Sequence, residues 1–171
     1  GLSERTDVSH YRLSIHLTLA FIIFIFLLWN FLKYRYDDTF ISYFKLPAFI
    51  PIIFLLISFI QISLVALHSG LDAGQLYQSW PLMNLSYFPD DADIKNLFSV
   101  KSLENPSIVQ FLHRNMAYFI FILYLFILFK ILRNGQFRYL RNTALLIFIS
   151  LFVQILLGIL TILSGAPIVL A

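Results

Sequence analysis

Of the 171 residues, 60% are hydrophobic and only 12% are charged, against about 45–50% and about 25% in soluble chains, so a water-soluble domain is excluded. No cysteine is present, which removes a disulfide framework, a thiolate zinc site and an iron–sulfur cluster from what this chain can supply. A net charge of +3 is modest, and its placement in loops speaks for membrane topology rather than nucleic-acid binding.

The chain opens on Gly1–Tyr11, a polar stretch with no basic region leading into the apolar core of a signal peptide. Four apolar runs follow, each near the roughly 20 residues that span a bilayer. They predict transmembrane helices over 13–32, 46–67, 107–129 and 143–163, an all-α integral membrane protein with its helices in a bundle. Phe, Ile and Leu surround each helix with no polar face wide enough for water. Phe21, Phe24 and Phe26 read as lipid-facing bulk.

The connections orient the helices. Lys33, Arg35, Lys45, Lys130, Arg133, Arg138 and Arg141 lie in the two short loops, Lys33–Lys45 and Lys130–Asn142. Arg5, Arg12, Lys95 and Lys101 lie on the other side. The excess places the short loops in the cytoplasm or its equivalent. The amino terminus and a long loop, 69–106, then face outward, and that loop is acidic. The non-methionine start, and an apolar run resuming at Pro167–Ala171, lead us to expect an internal piece, 1–171, of a larger membrane domain.

Polar residues inside the spans carry the functional signal, because a bilayer makes them costly. Of the four histidines, His10 reads as a solvated tail residue. His16, His68 and His113 fall at one depth near the outer face, as ligands of a common plane would. For His68 an interfacial, headgroup-facing role is favoured. Arg12 precedes His16 by four residues and shares its helix face, where it can meet a carboxylate near the membrane surface. His113 and Arg114 are adjacent within the third span. A neutral imidazole is a good iron ligand whose other nitrogen needs an orienting acceptor, and Gln110 and Asn115 are close in sequence. Arg114 keeps its charge at any accessible pH, so it snorkels to phosphate or pairs. Gln61, Gln154, Ser63, Thr161 and Ser164 read as bonds between helices, and Gly158 and Gly165 as points of close helix approach.

The long loop runs Gly70-Leu71-Asp72-Ala73-Gly74, Ser79-Trp80-Pro81-Leu82-Met83 and Tyr87-Phe88-Pro89-Asp90-Asp91. Its glycines predict a tight turn where the second helix ends. Its aromatics and prolines predict an interfacial belt, with a lid as the alternative.

Together these segments resemble the haem A synthase family. The likeness rests on Gly70–Gly74 with Ser79–Met83, on Gln110-Phe111-Leu112-His113-Arg114 with Ala117-Tyr118, and on Val153–Ile159. The opening, Asp7–His16, is similar to the fourth helix of the alphaproteobacterial and mitochondrial type. The resemblance runs through nearly the whole chain in order and implies the fourth through seventh of eight helices, arranged as two four-helix halves. It implies that His16 and His113 are haem-iron axial ligands, one in each half, and that Arg12 and Arg114 meet haem propionates. Gln110 stands where the family's other half carries a glutamate implicated in catalysis; no catalytic residue is assigned within this chain, which on its own is expected to be inactive.

The implied reaction is oxidation of a ring methyl of haem O to the formyl of haem A for cytochrome oxidase, with haem b as cofactor. Haem O synthase and an electron donor are the implied partners, besides membrane lipid; a homo-oligomer is compatible. The implied location is the bacterial cell inner membrane or the mitochondrial inner membrane. Two rivals stay open: a b-type cytochrome that only transfers electrons, and a non-haem transporter or assembly subunit.

Overall fold

The computed structural model describes residues 9–35, 49–97 and 99–165. The tail before Ser9, most of the first short loop (36–48, with the expected helix start at Leu46) and the apolar end Pro167–Ala171 lie outside the described residues. The described residues form four α-helices: α1 (His10–Arg35), α2 (Phe49–Gly70), α3 (Pro106–Arg133) and α4 (Arg141–Leu163). All four are long and apolar enough to cross a membrane, and the described residues form no strand. Each helix begins or ends within a few residues of its expected limits. The chain divides into two compact units, 1–70 and 71–171.

In the first unit α1 and α2 pack as an antiparallel pair. Their seam is polar near the start of α1 and the end of α2. The Ser14 hydroxyl donates to the Ser63 carbonyl at 3.1 Å, and the Thr18 and Ser63 hydroxyls lie 3.0 Å apart. Ser63 therefore makes the expected interhelical bond. Small side chains let the helices approach, as bilayer helices require when lipid removes the hydrophobic drive for association. The limit is reached at Gly70, where a Cβ would stand 2.8 Å from the Cβ of His10 and 2.9 Å from its Cα. On the other faces of α1, Phe24 and Phe26 are 57% and 64% exposed.

In the second unit the start of α3 is written in Asn105-Pro106. Asn105 caps the helix by accepting from the Ser107 and Ile108 amides. Pro106 follows at a position where its missing N–H costs nothing. Asn134 ends the helix, and its side chain accepts from the Gln136 amide. A 3-10 turn, Gly135–Leu140, leads into α4, with Arg141 donating back to the Leu132 carbonyl at 2.8 Å. The buried Tyr124 hydroxyl donates to the Ala144 carbonyl at 2.8 Å, and Phe121 stacks on Phe148.

α4 meets α3 at Ala144, while a Cβ on Gly158 would meet nothing within 4 Å among the described residues. Gly165 has φ +78 and terminates α4, a left-handed position that suits glycine. Thr161 and Ser164 bond to carbonyls of their own helix, at Leu157 for the former and at Leu160 and Thr161 for the latter. In an apolar medium the previous turn is the nearest acceptor. Gln154 is exposed on α4. The turn after α2 takes its left-handed residue at Asp72 (φ 50), not at a glycine.

Candidate functional site

The outer end of α3 and the loop 71–105 build the most elaborate polar site of the second unit. The four-residue spacing of Gln110, Arg114 and Tyr118 puts them on one helix face, and the loop folds onto that face. Gln110 is fully buried and Arg114 is 7% exposed. Arg114 donates from Nη2 to the Tyr77 carbonyl at 2.8 Å and from Nη1 to the Ser79 carbonyl at 2.9 Å. Gln110 Nε2 donates to the same Tyr77 carbonyl at 3.0 Å. Nε of Arg114 and Oε1 of Gln110 make no hydrogen bond. The guanidinium thus gives two of its five donors to backbone carbonyls, and those loop carbonyls would otherwise be buried without partners.

Further bonds fasten the loop. The Trp80 indole donates to the Tyr118 hydroxyl at 2.7 Å, and the Tyr87 hydroxyl to Asn115 Oδ1 at 2.6 Å. Tyr87 and Phe88 set their rings edge-on to Phe111. Met83 is 1% exposed, and its amide closes a turn onto the Ser86 carbonyl at 2.7 Å. The expected interfacial belt is therefore a cap, docked on α3 by side-chain and main-chain bonds. Pro81, Met83, Tyr87, Phe111, Arg114 and Asn115 line a shallow cleft beneath it, which Tyr118 completes.

At the top of α3, Asp91 accepts on both oxygens: from the Tyr77 hydroxyl at 2.7 Å and from the Ser107 hydroxyl at 2.6 Å. Burial works to raise its pKa, but the bonds from Ser107 and Tyr77 prevail and hold the carboxyl below its ordinary value. Tyr77 is pushed upward by its own burial and then by Asp91. The sequence carries no sign that Tyr77, Asp91 and Ser107 meet. Nothing in their spacing announces a contact across 14 or 16 residues.

His113 precedes Arg114, about 100° around the helix from it. It is half-buried and lies on the stripe that runs through Ala117 and Ile120 to Tyr124. It stands seven residues, about 10 Å, below the start of α3. In the first unit, His16 and Arg12 are both exposed on α1, one turn apart and off the seam that Ser14 and Thr18 form with Ser63. Among the described residues no hydrogen bond or ion pair engages either side chain. His68 is half-buried near the end of α2. His10, expected to be solvated, is instead the first residue of α1, packed on Gly70 with its ring 4.2 Å from that of Tyr11 and its Nε2 without a hydrogen bond. The described residues hold no cluster of three or more His, Cys, Asp or Glu side chains suited to a bare metal ion.

Comparison with known proteins bears on this arrangement. The family model for cytochrome oxidase assembly proteins, COX15-CtaA, matches residues 1–171. The chain is 41% identical to "Heme A synthase" of Pelagibacter ubique, aligned over 100% of this chain and 49% of that protein. It is 38% identical to the protein of that name from Rickettsia conorii, over 100% and 51%, and 39% identical to that of Rhizobium johnstonii, over 98% and 46%. The chain thus spans about half the length of these relatives. No solved structure matches. Its four apolar helices make it a multi-pass integral membrane protein. Matched by the family model along its whole length, the chain belongs to the COX15-CtaA family of cytochrome oxidase assembly proteins.

Proposed function

We propose that the chain is part of a haem-binding membrane oxidoreductase that converts haem O to haem A, a methyl-to-formyl oxidation, in an inner membrane. The observation that carries this is His16 with Arg12, an imidazole and a guanidinium one turn apart on the exposed face of an apolar helix. A bilayer makes such an exposed pair costly, and a haem matches both: iron takes the neutral imidazole and a propionate takes the cation. The donor set therefore fits the group.

A bound haem b supplies the redox chemistry. The chain's own residues bind and orient. His16 and His113 offer imidazole nitrogens in their respective units, and Arg12 offers its charge one turn nearer the outer end than His16. Arg114 holds the cap over the outer end of α3, next to His113, and retains Nε as a further donor. The cap limits access of water to that end of the helix. Haem O synthase as the source of substrate, and a separate electron donor, complete the proposed setting.

The test is haem analysis of the full-length protein expressed together with a source of haem O. Accumulation of haem A that depends on the protein supports the reading. Haem b alone, with haem O unchanged, points to an electron-transferring cytochrome. Folded protein with no haem overturns it.

A further inference from the structure

Tyr77 is tied to α3 at two levels. Its hydroxyl reaches Asp91, whose other oxygen accepts from Ser107 in the first turn of the helix. Its carbonyl accepts from Gln110 and from Arg114. Ser107 and Arg114 are seven residues apart, about 10 Å along the helix axis. One loop residue thus spans the distance between the start of α3 and the depth of the His113-Arg114 pair.

We propose that Asp91, acting through Tyr77, is a positioning residue that fixes Arg114 beside His113 by latching the outer cap to the start of α3. The inference rests on the haem-binding reading for its consequence at His113, but not for the latch itself. The physics is that of a shared carboxylate. Two short hydroxyl bonds to a charged acceptor are stronger than neutral ones. Both donors lose their acceptor together when the carboxylate is removed. Tyr77 then keeps its packing and its main-chain bonds but loses its tie to the first turn of α3, and the carbonyls that receive Arg114 gain freedom to shift. The Ser86 hydroxyl donates to Asp90 Oδ1 at 2.7 Å, a bond that Asn keeps through its own Oδ1, and among the described residues Asp90 makes no such bridge to α3. Asp90→Asn therefore serves as the control.

Two readouts on the full-length protein in detergent decide the matter. The first is hydrogen exchange at the amides of Met83 and Asn84, which are bonded within the cap to the Ser86 carbonyl and the Ser79 hydroxyl. Asp91→Ala and Tyr77→Phe are each expected to speed this exchange about tenfold or more. The double variant is expected to be no faster than Asp91→Ala alone, because residues in one network are not additive. Asp90→Asn should leave it unchanged. The second readout is the midpoint potential of the haem lost in His113→Ala, which should move in Asp91→Ala and Tyr77→Phe but not in Asp90→Asn. Unchanged exchange, or strictly additive effects, overturns the latch. Faster exchange with an unmoved potential overturns positioning and leaves a structural tie. A wild-type protein without haem overturns the functional reading instead, while exchange still decides the latch.

Discussion

Replacing Arg114 by methionine removes a buried cation while keeping most of the volume of its stem. Two bonds from a charged donor are lost, at 2.8 and 2.9 Å; a third contact, at 3.5 Å to the Leu82 carbonyl, is too long to count. Bonds to charged groups contribute about 1.5–3 kcal/mol each. The Tyr77 carbonyl keeps Gln110 as a donor, and the variant no longer buries a charge, so the net loss falls near the lower end, about 3–4 kcal/mol. At about 1.4 kcal/mol per tenfold, that raises the open fraction of the cap by about 100- to 1000-fold. Limited proteolysis of the cap reads this fraction directly when opening is fast relative to cleavage. Arg114→Lys keeps the charge but presents a single compact ammonium, and an intermediate acceleration, about tenfold, is expected. Cleavage of Arg114→Met less than about fivefold faster than wild type would refute the assignment of Arg114 as the anchor of the cap.

Other consequences follow from single contacts. Because the Asp91 carboxyl sits below its ordinary value in the folded protein, its contribution is fully present above its unfolded value near pH 4 and is lost as pH falls through the lowered one. Protection of the cap measured against pH should therefore drop at the acid end, and Asp91→Asn should abolish that dependence. Gly70→Ala forces a Cβ to within 2.8 Å of His10 and should cost about 1–3 kcal/mol, as overpacking does, seen as a lower unfolding midpoint in detergent. Tyr124→Phe removes the bond to the Ala144 carbonyl and should cost about 0.6 kcal/mol, a typical interhelical bond in a bilayer; a loss above about 2 kcal/mol in a detergent unfolding titration would contradict that scale.

The four helices are legible in the sequence because length and apolar content alone set them. The start of α3 is legible too, since Asn-Pro is a capping signature. The cap is not. Its structure depends on Tyr77, Asp91 and Ser107, three residues common in any loop, meeting across long separations. An aromatic, proline-rich composition suits a belt equally well. Arg114 was visible as a residue that needs partners, but its partners are backbone carbonyls, which have no residue identity to read. Gly158 and Gly165 show the same limit. A glycine in an apolar run signals close packing on average, and here a Cβ on one would meet none of the described residues while the other ends a helix. His16 and Arg12 are clearest, because their four-residue spacing fixes a shared face before any packing is known.

The measurement that bears most directly on the proposed function is the haem content per polypeptide of the detergent-purified full-length protein, compared with its His16→Ala and His113→Ala variants. It is read from the reduced-minus-oxidised spectrum and from chromatography of the extracted haem. The expected result is b-type haem together with O- or A-type haem in the wild type, and a reduced content in each variant with membrane insertion intact. Unchanged haem per polypeptide in both variants would contradict the assignment of His16 and His113 as ligands.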